Sequence, residues 1–360
     1  MKNIAVLGRG KIGQVVCELL SDKTGYKVFS VDSKKDELVE SSTYTLINLD
    51  VKNHAQMAQF IKENQPDALV SCLPYYLNTL VASYAKEFDL HYFDLTEDVE
   101  TTKNVRNTAT GSSKAFVPQC GLAPGFINIV SKSLIDLFDE IDHVKLRVGA
   151  LPVSPGNNLK YCLTWSTDGL INQYGNSCPA LVNGELVDAA ALEGLEDLSI
   201  DGQSYECFNT SGGVGTLAET YQKKVKNLSY KTIRYPGHCD IMKLLMHDLG
   251  FNNDRENLKK IFERSIPTTD QDIVLIYVTV VGKINQQLVE KTYIKKIYNR
   301  NINGKHYSAI QQTTASGLCA VIDKVFDTPQ LYQGYCRQED FSLEDVLRSE
   351  FGTCYRSDQQ

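Results

Sequence analysis

The segment Gly8-Arg9-Gly10-Lys11-Ile12-Gly13 constrains this chain more than any other. It has the form GxGxxG. Residues 3–7 before it (Asn-Ile-Ala-Val-Leu) are a short apolar run of the kind that makes a buried parallel strand. After it, Ile12, Val15, Val16, Leu19 and Leu20 recur at helical spacing. Strand, glycine turn and helix in that order open a dinucleotide-binding βαβ unit. Gly8 permits the tight turn, Gly10 lets backbone approach a diphosphate, and Gly13 lets helix and strand pack closely. Arg9, Lys11 and Ile12 complete the loop, and the diphosphate rests on N–H groups at the positive end of the helix dipole. The same pattern can also be a glycine turn with no ligand.

The next hundred residues support the ligand. Strands are predicted at 27–31, 46–49, 68–72, 91–95 and 115–119, with helices at 54–64, 76–88 and 99–112 between them. Such alternation gives an α/β fold, a doubly wound parallel sheet with helices on both faces. Asp32 ends the second strand, where a carboxylate accepts hydrogen bonds from the adenosine ribose; Ser33 follows it. A carboxylate there repels a 2′-phosphate, so NAD is expected over NADP, although Lys34 and Lys35 keep NADP open. Open α/β sheets bind ligands beyond the carboxyl ends of their strands. That rule places Asp50 and Val51 near the adenine, and Cys72, Leu73 and Pro74 along the channel to the nicotinamide. It sets Asp94, Thr96, Glu97 and Asp98 near the reacting end, though Asp94 and Asp98 could equally be helix caps.

Charge and composition exclude other classes. Lys plus Arg number 37 against 44 Asp plus Glu, a net charge of −7, which lacks the basic footprint of a nucleic-acid binder. No stretch approaches the roughly 18 apolar residues of a membrane helix. Ten cysteines are scattered with no CxxC pair, so no metal site is expected and the thiols read as free, in a reducing cytoplasmic setting.

Past residue 120 the alternation stops. The loop Cys120-Gly121-Leu122-Ala123-Pro124-Gly125 opens a helix at about 126–138, and strands are predicted at 142–150, 159–166, 273–282 and 287–299. Gly282-Lys283-Ile284-Asn285 reads as the hairpin loop between the last two. This is a second, α+β domain on a mostly antiparallel sheet. Three polar clusters stand out in it. Trp165-Ser166 leads into Gly169–Tyr174; Thr210-Ser211-Gly212-Gly213 is a glycine-rich turn that could cradle an anion; Arg234 and His238 flank a Pro-Gly turn. Arginine suits bidentate binding of a carboxylate and histidine exchanges protons near neutral pH. Arg234 as a surface ion pair and His238 as a helix cap are the alternatives. The apolar helix at 315–326 has no sheet of its own nearby and is expected to return to the nucleotide domain. The boundaries that follow are 1–122, 123–312 for the inserted domain, and 313–360 for the return.

Taken together, these segments resemble the saccharopine dehydrogenase-type family of amino-acid oxidoreductases, most closely its lysine 6-dehydrogenase branch. The shared residues are Gly8–Gly13 with Asp32, Ser71–Tyr75, Cys120–Gly125, Glu206–Gly213 and Tyr230–His238. The resemblance implies a Rossmann-type nucleotide domain, a substrate domain whose sheet often builds a dimer interface, and a nicotinamide cofactor. A homodimer is therefore expected. Ala123 stands where saccharopine-forming and carboxynorspermidine-forming relatives tend to carry Asp, which favours oxidation of an amine or amino acid over a condensing reaction.

Oxidation of a primary amine needs a general base, a carboxylate clamp and walls that exclude water. Asp94, Asp98 and His238 are the base candidates. Arg234 with the Thr210–Gly213 loop forms the clamp, Tyr161, Trp165 and Tyr174 the wall, and Cys120 and Gly121 contact the nicotinamide. The rival expectations are an imine reductase of the saccharopine type and a non-catalytic NAD-binding sensor or scaffold.

Overall fold

Six short runs from the first third of the chain assemble into one parallel sheet in the computed structural model, which describes residues 1–34, 43–302 and 304–356. They are β1 (Lys2–Leu7), β2 (Tyr26–Asp32), β3 (Thr45–Asn48), β4 (Ala68–Ser71), β5 (His91–Asp94) and β6 (Ala115–Val117). Their order is β6-β5-β4-β1-β2-β3, and every neighbouring pair is parallel. The winding reverses between β1 and β4, the kind of switch point at which such sheets take ligands. Helices α1 (Lys11–Asp22), α2 (His54–Asn64), α3 (Asn78–Glu87) and α4 (Val99–Thr108) connect the strands.

Local chemistry starts and stops these elements. Asn53 caps α2 by accepting from the Gln56 N–H, and Gln65 ends it in a left-handed conformation at φ 45°. Asp98 caps α4 through the Thr101 N–H. Leu7, Val31, Leu69 and Tyr92 meet Met57, Phe60, Val81 and Tyr84 in the core. Burying each such side chain contributes about 1.5–3 kcal/mol.

This unit comprises Met1–Gly121 together with Thr314–Gln360. The long helix Ala309–Asp327 supplies Asp323, which accepts from the Tyr26 hydroxyl at 2.7 Å and pairs with Lys23. Phe326 on the same helix packs its ring edge-on to Tyr26. Gly334–Tyr335 then adds a seventh strand, parallel to β6.

The other unit is Leu122–Thr313. After α5 (Phe126–Ile135) come β7 (Glu140–Pro152), α6 (Thr167–Gly175), β8 (Cys178–Val182), β9 (Glu185–Ala189), β10 (Glu196–Ile200) and β11 (Gln203–Asn209). Then follow α7 (Leu217–Tyr221), β12 (Val225–Arg234), α8 (His238–Lys243), α9 (Arg255–Ser265), β13 (Asp272–Ile284) and β14 (Gln287–Tyr298). The sheet runs β10-β11-β12-β7-β13-β14, with β8 on β12 and β9 on β8. Only β12 and β7 pair in parallel; the rest are antiparallel. β13 is buried along most of its length between β7 and β14, as its two apolar faces require.

Three expectations change here. Residues 159–166 form no strand. Their alternating Leu159, Tyr161, Leu163 and Trp165 pack into a side-chain cluster with α6, α8 and α9 instead of a ladder. The turn joining β13 to β14 is Asn285-Gln286, both at positive φ, starting three residues beyond the glycine. Gly282 instead sits at a bulge, where a Cβ would fall 2.1 Å from the Glu140 carbonyl oxygen. Finally, β8 to β12 have no counterpart in the sequence reading. β9, for example, is exposed and sets Leu186 and Val187 side by side, so it carries no period-2 signal.

Candidate functional site

The glycine turn has the shape its spacing demands. Gly8 lies at φ +100°, and a Cβ on it would sit 2.8 Å from the Cys72 carbonyl oxygen. A Cβ on Gly13 would fall 1.9 Å from the Gly8 oxygen, so α1 packs directly on the turn. Gly10, by contrast, has nothing within 4 Å of where its Cβ would be, so this side of the loop is open. Gly10 offers α1 no side-chain cap, and the first turn, with Lys11 and Ile12, contains no acidic residue. An open backbone at the positive end of an unopposed helix dipole fits a diphosphate.

At the end of β2 the Asp32 carboxylate accepts from the Arg9 N–H at 2.7 Å and from the Lys34 N–H at 2.9 Å. The Arg9 side chain folds back onto β2, donating from Nε to Ser30 Oγ at 3.1 Å and from Nη2 to the Ser30 carbonyl at 3.2 Å. The Asp32 carboxylate thus ties the glycine turn to the end of β2, and the Arg9 guanidinium is held on Ser30, two residues back along the strand. Ser33 is exposed beside them; Lys35 lies outside the described residues. Asp50 is exposed and closes its own turn on the Lys52 N–H. Val51 is corrected from adenine lining to core, since it is buried and its carbonyl accepts from the Tyr84 hydroxyl at 2.9 Å.

Beyond β4, Cys72 and Leu73 are half-buried and Pro74 is exposed. Cys72 lies against both turn glycines, and burial raises the pKa of its thiol. Cys120 is buried, donates from Sγ to the Val117 carbonyl at 3.0 Å and receives the Gln338 amide at 3.3 Å. Burial holds its thiol well above the usual range, so it is no thiolate nucleophile. Gly121 is buried next to it, its carbonyl oxygen 2.9 Å from where a Cβ on Gly317 would stand.

The acidic residues after β5 have structural tasks. Asp94 is 0% exposed. Its carboxylate accepts from the Tyr92 hydroxyl at 2.6 Å and from the Thr96 and Gln119 N–H groups at 2.9 and 3.0 Å. It therefore ties the end of β5 to the end of β6, and burial raises its pKa to about 6. Thr96 accepts from the Asp98 N–H, and Asp98 caps α4. The cap alternative describes Asp98, and Asp94 serves as a clamp. Glu97, between them, keeps solvent contact.

In the other unit, Arg234 is 3% exposed at the end of β12. Its Nε donates to the Tyr174 hydroxyl at 3.0 Å and its Nη1 to the Ile233 carbonyl at 2.9 Å. The guanidinium lies 5.1 Å from the Tyr161 ring centroid and 6.0 Å from that of Tyr174. Among the described residues no carboxylate pairs with it. Buried charges are ordinarily paired, so this fork has the chemistry of a waiting carboxylate clamp.

His238 opens α8, which Glu206 caps by accepting from the Gly237 and Cys239 N–H groups. Its Nδ1 meets the Leu159 carbonyl at 2.8 Å and its Nε2 the Tyr174 hydroxyl at 3.0 Å. Burial, and then Arg234, lower its pKa to about 3. Both nitrogens are engaged and so low a pKa leaves the ring a weak base, so the structure corrects the general-base reading of His238. Trp165 donates from its indole to the Tyr161 hydroxyl at 2.9 Å, so the expected wall residues form one aromatic group around Arg234.

The glycine-rich turn is a packing device instead of an anion cradle. A Cβ on Gly213 would fall 2.1 Å from Cζ of the Tyr230 ring. Gly212 is at φ +90°, and Ser211 donates its N–H to the Gln173 carbonyl at 2.9 Å. The helix that follows, α7, has five residues. Thr210 Oγ1 and Gln173 Nε2 are buried without hydrogen-bond partners. Glu206, Tyr230 and Leu159 were missed as supports of the cluster; Glu206 carries a signal, the one carboxylate in β11, set between Tyr205 and Cys207.

All ten cysteines are free thiols. Among the described residues no group of His, Cys, Asp and Glu could hold a metal ion, and no helix is long and apolar enough to cross a membrane.

Residues 4–117 match the family model described as the saccharopine dehydrogenase NADP binding domain, and residues 121–349 that of the saccharopine dehydrogenase C-terminal domain. The mitochondrial alpha-aminoadipic semialdehyde synthase of Mus musculus is 23% identical over 196 residues, 52% of this chain and 21% of that protein. A saccharopine dehydrogenase [NADP(+), L-glutamate-forming] of Pyricularia oryzae is 23% identical over 270 residues, 71% of this chain and 59% of that protein. The chain thus spans between a fifth and three-fifths of the length of these curated relatives. In fold it matches the apo saccharopine dehydrogenase (L-Glu forming) of Saccharomyces cerevisiae, with TM-score 0.77, 16% identity, and 96% and 95% of the two chains covered.

Proposed function

The chain belongs to the saccharopine dehydrogenase family, and we propose that it is a nicotinamide-dependent oxidoreductase acting on the C–N bond of an amino acid. The observation that carries this is Arg234, a buried guanidinium stacked on tyrosine with no carboxylate partner among the described residues. An amino acid supplies the missing anion. The nucleotide unit supports the reading through its open Gly10 and uncapped α1. The dinucleotide, when bound, supplies a hydride acceptor. This chain's residues then hold the carboxylate, through Arg234, and wall the site with Tyr161, Tyr174 and Trp165.

Within that class we favour oxidative deamination like that of lysine 6-dehydrogenase: hydride leaves the carbon bearing the amine, and water hydrolyses the iminium to aldehyde and ammonia. Ala123 supports it by offering no carboxylate in its loop. Asp32 favours NAD; the Arg9 guanidinium, held on Ser30 of the same strand, is what an NADP-specific reading would use. The exposed Leu288, Ile294 and Tyr298 on edge strand β14 suit a homodimer.

A second reading, an imine reductase of the saccharopine type, has one observation of its own. Lys160 places its ammonium 2.7 Å from the Pro236 carbonyl, beside the Arg234–His238 turn, where it could receive a second carboxylate. Two assays separate the readings. Reduction of NAD by L-lysine alone supports the first. Oxidation of NADPH with aldehyde plus glutamate, lost in Lys160→Ala, supports the second. Tight dinucleotide binding with no turnover over a broad amine panel refutes both.

A further inference from the structure

Four groups in the Arg234 cluster form a hydrogen-bond chain with only one possible direction. A guanidinium Nε can only donate, so Tyr174 oxygen accepts from Arg234 at 3.0 Å. A backbone carbonyl can only accept, so His238 Nδ1 carries a proton and donates to Leu159 at 2.8 Å. Between these ends the Tyr174 hydroxyl and His238 Nε2 stand 3.0 Å apart. In a neutral ring whose one proton sits on Nδ1, Nε2 is bare and accepts the hydrogen bond that the Tyr174 O–H donates.

We propose that His238 is a positioning residue whose bare Nε2 accepts a hydrogen bond from the Tyr174 hydroxyl and thereby holds the Arg234 guanidinium in one orientation. The orienting role rests on Arg234 being the carboxylate clamp; the state of the ring does not. Three contacts fix the fork: Tyr174 at Nε, the Ile233 carbonyl at Nη1 and the Tyr161 face at 5.1 Å. Nη2 is left for a ligand oxygen. A proton on Nε2 would undo this twice over. It would put two donors on the Tyr174 oxygen and leave that hydroxyl's proton without an acceptor. It would also set a second cation beside a buried one that lacks a counter-ion.

The surroundings of the ring agree. Arg234 faces it from β12, Tyr174 from α6, Tyr161 from the preceding loop and Phe208, stacked at 6.2 Å, from β11. Glu206 spends its carboxylate on the Gly237 and Cys239 N–H groups. Burial and Arg234 both disfavour the charged imidazole. Leu159 and Tyr161 flank Lys160, which has φ +53°, so one strained turn delivers both the acceptor for Nδ1 and the stacking face for Arg234.

The test uses the full chain. Nitrogen NMR of the histidine rings, with the His238 signals assigned by their loss in His238→Gln, should show the neutral Nδ1–H form at about pH 5.5, where an ordinary histidine is charged. A protonated ring or the Nε2–H form overturns the proposal, whatever the protein binds. Binding of L-lysine and L-glutamate is then read from the fluorescence of Trp165, the chain's one tryptophan, whose indole is bonded to Tyr161. Glutamine offers a carbonyl oxygen near the Nε2 position, so His238→Gln should keep the affinity within about threefold, whereas Tyr174→Phe and His238→Phe should each weaken it about tenfold. His238→Gln should also keep kcat and its pH profile. Loss of kcat in His238→Gln with affinity unchanged makes His238 a proton-transfer group and refutes the positioning role. If neither amino acid binds the unaltered chain while the tautomer is as stated, the clamp reading of Arg234 fails, and the orienting role with it; the ring assignment remains.

Discussion

Arg234→Met should separate ligand binding from folding. The methionine keeps the length of the aliphatic stem and removes the charge. On the folding side, the two hydrogen bonds to Tyr174 and Ile233 are charge-assisted and contribute about 1.5–3 kcal/mol each. The stack on Tyr161 and Tyr174 adds about 2 kcal/mol when desolvated. Against them stands the desolvation of a lone buried cation, several kcal/mol after relaxation. The terms nearly cancel, so stability should change by no more than about 2 kcal/mol in either direction. On the binding side nothing cancels: a carboxylate loses its charge-assisted bond from Nη2, about 1.5–3 kcal/mol, which raises Kd by about ten- to a hundredfold. Titration of Trp165 fluorescence with amino acid gives the Kd, and denaturant unfolding gives the stability. Dinucleotide affinity should not move. An unchanged amino-acid Kd refutes the clamp. A stability loss above about 3 kcal/mol refutes the premise that the cation lacks a partner, because that is what breaking a buried pair costs.

Other consequences are simpler. Gly13→Ala forces a Cβ to within 1.9 Å of the Gly8 oxygen; the resulting shift of α1 should cost about 1–3 kcal/mol of stability and weaken NAD binding, measured by unfolding and by dinucleotide titration. Asp32→Ser should move the preference from NAD towards NADP by about tenfold or more, because it removes one anion from the 2′-position and leaves Arg9 in place; an unaltered chain that already prefers NADP contradicts the Asp32 reading. His238 has a folded pKa of about 3, below its unfolded value, so the unfolded chain binds more protons as pH falls and the native state loses stability. His238→Gln lacks this linkage, and should gain on the unaltered protein by about 2 kcal/mol between pH 6.5 and 5. Equal unfolding curves across that range remove the neutral-histidine account.

Sequence pattern carried the nucleotide unit because its signals are local. Each strand is an apolar run that ends at a punctuating residue, such as Gly8, Asp32 or Pro74. The GxGxxG spacing also states a backbone geometry that only glycine satisfies at Gly8 and Gly13. The substrate unit was less legible because its strands pair across long intervals. β12 takes β7 as a parallel neighbour and β11 as an antiparallel one, and no local pattern encodes that choice. The run 159–166 shows the opposite failure, with a period-2 pattern satisfied by side-chain packing instead of a ladder. At the site, residue type identified Arg234, Tyr161, Trp165 and Tyr174 as a group. It could not assign tasks to Asp94, Asp98 and His238. Those depend on which donors surround each group: three N–H or O–H donors for Asp94, a helix end for Asp98, a hydroxyl and a carbonyl for His238.

The central claim is that this chain moves a hydride between the carbon of an amino acid's C–N bond and a nicotinamide. Lysine deuterated at the carbon bearing the side-chain amine, incubated with NAD and the full chain, tests it directly by mass spectrometry of the recovered dinucleotide. One deuterium per reduced nicotinamide, with ammonia released in step, is the predicted result. Reduced dinucleotide without deuterium would contradict transfer from that carbon. Bound NAD that stays oxidised and unlabelled, with this and every other deuterated amino acid tried, would contradict the claim as a whole.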